Sequence, residues 1–174
     1  MSSNELASSA LKVQHAADAL GLKIEVRQME ASTRTAEEAA AACGVTVGQI
    51  VKSLVFVGAE SGKPYLLLVA GNNRVNEKAM ASHLGEKLRR PDADAVRSVT
   101  GYAIGGIPPF GHAQPLATYM DQDLLTYGIV CLGLNYREHA KEGGHQNFTA
   151  PSIFMSRSTS LGPHKMPISR PLAS

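Results

Sequence analysis

Lys52 is the first residue whose surroundings point to chemistry. It sits in "IVKSLVFV" (50–57), where every other long side chain is apolar. In an extended chain Val51, Ser53, Val55 and Val57 share one face, and Lys52, Leu54 and Phe56 share the other. A lysine flanked by aliphatics is costly unless its ammonium reaches water, a phosphate or a carboxylate. Spacing alone leaves two roles open: a cationic anchor for an anionic ligand, or a strand-end lysine that snorkels to solvent.

The second candidate is "TGYAIGGIPPFG" (100–111), with four glycines, two prolines and no charge in twelve positions. Consecutive glycines such as Gly105 and Gly106 can turn their N–H groups outward as a nest for an anion or a developing oxyanion. Pro108 and Pro109 stiffen the exit from that run. A tight structural turn beneath a sheet fits the composition equally well. The run is not a dinucleotide fingerprint, because it follows a helical pattern and leads into prolines.

Other signals are weaker. His139 and Glu142 stand three apart, a spacing that a solvated helix explains equally. The remaining histidines are scattered, and Ser53 has no nucleophile-elbow context. Cys43 and Cys131 form no CxxC pair, which favours reduced thiols over a disulfide or a zinc site. No metal and no cofactor are expected.

These residues need elements to hold them. A 4-3-4-3 spacing of Leu6, Ala10, Val13, Ala17 and Leu20 predicts a helix that Gly21 stops, with Ser2 and Glu5 at capping-box spacing. "IEVRQM" (24–29) predicts a strand, and "TAEEAAAAC" (35–43) a helix capped by Thr35 and ended at Gly44. "IVKSLVFV" and "PYLLLVA" (64–70), joined by the polar turn "GAESGK", predict an antiparallel hairpin. Helices follow at 76–85 with Asn76 as N-cap and at 92–99. A strand at 116–120, a helical turn at 121–127 capped by Asp121, and a strand at 129–133 complete the pattern.

Short helices among hairpin strands indicate a mixed α/β, α+β-like fold. With 174 residues, a 44% hydrophobic fraction and a net charge of +2, the chain supports one core and carries too little charge to signal a nucleic-acid binder. No apolar run approaches a membrane span, and the N-terminus has no signal-peptide pattern, so a cytoplasmic location without membrane contact is expected. From Pro151 to Ser174 there is no Asp or Glu. The expected organisation is a domain at 1–132 followed by an irregular C-terminal extension at 133–174.

Taken together, "TAEEAA" before a glycine turn, "GQIVKSLVF", "TGYAIGGIPPFG" and "YMDQDLL" resemble the YbaK family of aminoacyl-tRNA deacylases, relatives of the editing domain inserted in bacterial prolyl-tRNA synthetases. The glycine stretch is similar to the family's TGYxxGGxxPxG loop, and the likeness spans residues 5–131. It implies a mixed, largely antiparallel, barrel-like β-sheet flanked by short helices. It also implies hydrolysis of the ester between a wrong amino acid and the terminal adenosine of tRNA, substrate-assisted and metal-independent. The acceptor end of aminoacyl-tRNA is then the partner, with an aminoacyl-tRNA synthetase as a further one. A binding module of the same fold, for a tRNA end or nucleotide without catalysis, is the alternative.

By the same resemblance Lys52 and Gly105 are the catalytic positions. Ser53, Gly101, Gly106, Pro109 and Met29 surround the substrate, with Met29 standing where some members carry tyrosine. After Cys131 the likeness changes. "CLGLNYREHAKEGG" followed by "APSIFM" resembles the early segment of fumarylacetoacetate-hydrolase-like enzymes, whose matching His and Glu assist catalysis beside a divalent metal. Such a segment, without that family's metal-binding carboxylates, is not expected to supply its reaction.

Overall fold

Local capping chemistry starts most of the helices. The computed structural model describes residues 7–29, 33, 35–127, 129–132 and 152–156, the last two runs as strand backbone. Helix α1 (Ser8–Ala19) buries Ala10, Val13 and Ala17 as the spacing requires. It begins after Ala7 without a side-chain cap, while the Ser2–Glu5 pair and Leu6 lie outside the described residues. Leu20, expected on the buried face, is exposed because the helix has ended before it. In α2 (Ala36–Cys43) the Thr35 hydroxyl accepts the Glu38 N–H at 3.1 Å and Gly44 closes the helix in left-handed backbone. Asn76 caps α3 (Glu77–Leu84) and Asp92 caps α4 (Ala93–Thr100) in the same way, through the N–H groups of Ala79 and Ala95.

The strands are β1 (Glu25–Gln28), β2 (Ile50–Gly58), β3 (Pro64–Ala70), β4 (Leu88–Arg89), β5 (Ala117–Met120), β6 (Ile129–Leu132) and β7 (Ser152–Ser156). They form one sheet in the order β1-β7-β6-β2-β3-β5, with β4 pairing the end of β2. The β2–β6 and β3–β5 pairs are parallel and the other four are antiparallel, so the sheet is mixed and largely antiparallel. Among the described residues it stays open, with β1 and β5 at its two ends. The helical turn capped by Asp121 is a 3-10 turn over Gln122–Thr126.

Most of the 133–174 extension lies outside the described residues, but its "SIFMS" run is a strand where an irregular course was expected. Three consecutive apolar residues carry no period to read, yet they fit between two strands that lack partners on that side, β1 and β6.

The hairpin register decides what lies on each face. Lys52 pairs with Val69, Leu54 with Leu67 and Phe56 with Tyr65, so these side chains share one face with Met80 of α3. Val51 and Val55 lie on the other with Leu66, Leu68 and Ala70, beneath α1, α4 and the glycine run. Ile50 and Leu66 are fully buried, and each such side chain contributes about 1.5–3 kcal/mol. A third cluster sets Met29 and Ile50 against α2. No helix among the described residues is long and apolar enough to cross a membrane.

Candidate functional site

Among the described residues Lys52 has no carboxylate within hydrogen-bond distance. Its Nζ donates to the backbone carbonyls of Gly71, at 3.0 Å, and of Asn73, in the turn after β3. An ammonium carries three donors, so among the described residues one is left without an acceptor. Burial pushes its pKa below the ordinary lysine range; the Glu37 and Asp121 carboxylates oppose that shift, and Arg74 adds to it. Gly71 allows the arrangement, since a Cβ there would stand 2.2 Å from the Val47 carbonyl oxygen.

Strand alternation separates Lys52 from Ser53. The serine projects to the opposite face, where its register partner Leu68 packs against the core beneath the glycine run. Among the described residues no hydrogen bond joins Lys52 to residues 100–111.

The glycine run is braced from three sides. The Thr100 hydroxyl donates to the Val96 and Tyr102 carbonyls and accepts the Tyr102 N–H, which fixes the exit from α4. Gly101 is the left-handed cap of α4, and its carbonyl accepts from Lys12 Nζ at 3.2 Å. That ammonium lies 4.4 Å from the centre of the Tyr102 ring. Pro108 is buried, and its carbonyl oxygen lies 2.7 Å from His112 Nε2. At Gly111, with φ 73°, a Cβ would come within 2.6 Å of Ala16 Cβ, so the run lies directly against α1.

Of the paired N–H groups expected to face outward, that of Gly106 is occupied, donating to the Ala103 carbonyl at 3.0 Å within a turn. Gly105 adopts φ 86°, and among the described residues its N–H has no backbone partner. Pro109 is half-buried, and Met29 is half-buried against α2. Lys12, His112 and Asn73 escape a sequence reading. Lys12 stands 89 positions from the carbonyl it reaches, and His112 counts only as one scattered histidine among six.

A central strand with a carbonyl-bound lysine, opposite a braced Gly-Gly turn, gives a framework that can be compared with known proteins. Residues 30–143 match the aminoacyl-tRNA editing domain family. The chain belongs to that family. This editing domain is 34% identical over 118 residues to an uncharacterized protein of Bacillus subtilis, covering 68% of this chain and 74% of that one. It is 30% identical to an Enterococcus faecalis protein named as a candidate Cys-tRNA(Pro)/Cys-tRNA(Cys) deacylase, covering 70% and 71% of the two chains. The crystal structure of a candidate trans-editing enzyme for prolyl-tRNA synthetase superposes with a TM-score of 0.73 at 42% identity, over 89% of this chain and 90% of that one. The family likeness read from the motifs is thus established. His139 and Glu142, which carry the fumarylacetoacetate-hydrolase-like likeness of the tail, lie outside the described residues; of its two runs only residues 131–132 and 152–155 are described, as strand backbone.

Proposed function

We propose that this editing domain is a trans-acting deacylase, hydrolysing the ester between a wrong amino acid and the 3′-terminal adenosine of tRNA. The observation that carries this reading is the Lys52 ammonium, fixed by two backbone carbonyls with one N–H to spare, in a fold whose family is named for aminoacyl-tRNA editing. In this reading the spare N–H meets an oxygen of the terminal nucleotide. By the family likeness the Gly105 N–H meets the ester carbonyl oxygen as negative charge develops there, a contribution of roughly 10²–10³-fold per donor; this requires the ester to reach past the sheet from the Lys52 face to the glycine run on the other. Water attacks the carbonyl carbon. The tetrahedral oxyanion then collapses, the bond to the ribose oxygen breaks, and that oxygen takes up the proton which the water gives up. A terminal-ribose hydroxyl orients the water, so the substrate supplies what a protein base otherwise would, and the cycle draws on no metal. Ser53, Gly101, Gly106 and Pro109 shape the surroundings, and Met29 offers an apolar wall where some family members have a phenol. A prolyl-tRNA synthetase is the natural synthetase partner.

The test is a deacylation screen of the full chain against tRNAs carrying cysteine, alanine, serine or threonine. Lys52→Ala is expected to abolish nearly all cleavage of whichever ester is accepted, and to lower stability by about 1–3 kcal/mol, since it takes the charged donor from the carbonyls of buried Gly71 and half-buried Asn73. Full activity in that variant overturns the role of Lys52. Salt-sensitive tRNA binding without cleavage across the panel replaces the hydrolase with a binding module.

A further inference from the structure

Beyond the Gly71–Asn73 turn that holds Lys52, on the α3 side of the sheet, lies a cavity of about 390 Å³ that the reaction above does not use. Its wall combines three kinds of group. Tyr119 of β5 and His83 of α3 present rings 5.6 Å apart and nearly perpendicular, a ring surface on which a flat ligand can lie. Asn73 Nδ2 donates at 2.8 Å to both Asp121 and Asp123. The Asp121 carboxylate is committed to the fold, because it also accepts the N–H groups of Ala70 and Asp123. Asp123 is exposed and keeps most of its acceptor capacity for a donor from outside. Arg74, exposed at the same cavity, has no hydrogen-bond or ion-pair partner among the described residues.

An aromatic wall, an open carboxylate and an exposed guanidinium together call for one ligand: a flat ring that bears an amine and is attached to an anion. We propose that this cavity binds the cytidine that precedes the terminal adenosine of tRNA. Its 4-amino group donates to Asp123, its ring lies against Tyr119, and its phosphate meets Arg74. The assignment rests on the deacylase reading, since it places the reacting adenosine on the Lys52 side and the next nucleotide across the turn. Asn73 joins the two sides, with its carbonyl on Lys52 and its amide on Asp123. The cavity thereby gives the domain a way to recognise a tRNA end apart from a free aminoacyl ester.

The experiment compares two substrates for the wild-type chain and for Arg74→Ala and Asp123→Asn. One is an aminoacylated RNA ending in CCA; the other is the same amino acid on adenosine alone. Each variant is expected to lose about tenfold in kcat/KM on the RNA and less than about twofold on aminoacyl-adenosine. Equal losses on both substrates, or no loss on either, overturn the cytidine site while leaving the hydrolase standing. If the wild type cleaves neither substrate, the deacylase reading fails, and calorimetry with the dinucleotide CpC decides the cavity. Saturable binding that Arg74→Ala abolishes supports the site; absence of binding overturns it.

Discussion

At the scale of single residues, the groups that hold the glycine run differ from those that composition marks. The run itself is visible as six Gly and Pro residues within twelve positions, but its anchors, Lys12 and His112, become visible only once α1 lies against it. For His112 Nε2 to bond a carbonyl oxygen it must carry the hydrogen, which sets the tautomer. Burial pushes the His112 pKa below its ordinary 6.5; the Pro108 carbonyl opposes this, and the charge of Lys12 adds to it. Tyr102 faces the ring edge-on at 6.5 Å and is neutral at these pH values. The unfolded chain therefore takes up a proton at this site before the folded one does. Stability is lost as the pH falls through about 6.5 toward the depressed folded value. Thermal midpoints are expected to decline over that interval in the wild type and to decline less in His112→Gln, whose amide N–H can still reach Pro108. An unchanged slope in the variant would place the titration elsewhere.

At the scale of elements, capping chemistry was the most legible layer, because it acts over three residues. Thr35, Asn76 and Asp121 cap where the sequence places them, and Asp92, read only as part of a helix, caps α4 as well. The hairpin was legible too, from two β-branched runs around a polar turn. What ties that turn down was not legible, because Glu86 lies 25 residues from Ser61. The Glu86 carboxylate accepts the N–H groups of Glu60 and Ser61 and the hydroxyls of Ser61 and Tyr65. A Cβ on Gly58 would stand 2.2 Å from it. The Ser61 hydroxyl foremost, and then the N–H donors, hold its pKa down to about 2 from 4.5. A depressed carboxylate contributes stability that is present above its unfolded pKa and lost as the pH falls toward the folded one. The wild type is accordingly expected to melt above Glu86→Gln at pH 5 and higher, with the gap closing between about 4.5 and 2. A gap that persists at pH 2 would mean that the carboxylate's charge is irrelevant to the tie.

At the scale of the whole molecule, the sheet order follows from pairings distant in sequence, which no local period encodes. Among the described residues β1 meets the sheet only through β7, which is itself paired to β6. The segment after residue 132, read from composition as an appendage, therefore contributes the link between the first strand and the rest. On its other side β1 is held by Gln14 of α1, whose side chain accepts the Val26 N–H at 2.9 Å and donates to the Ile24 carbonyl at 3.1 Å. Because N–H directions alternate along a strand, the Arg27 N–H points toward β7. Ending the chain at residue 132 should then expose the Arg27 amide to rapid hydrogen exchange while Leu66 and Leu67, within the β2–β3 hairpin, stay protected. The Val26 amide, bonded to Gln14, should keep part of its protection. A fall of roughly 5–10 °C in the thermal midpoint is expected, given about 2–4 °C per kcal/mol for a chain of this size. Deacylation should weaken as well, because Met29 and its packing against Ile50 and α2 follow directly from the end of β1. If Arg27 keeps its protection in the shortened chain, β7 is dispensable and α1 alone holds the first strand in place.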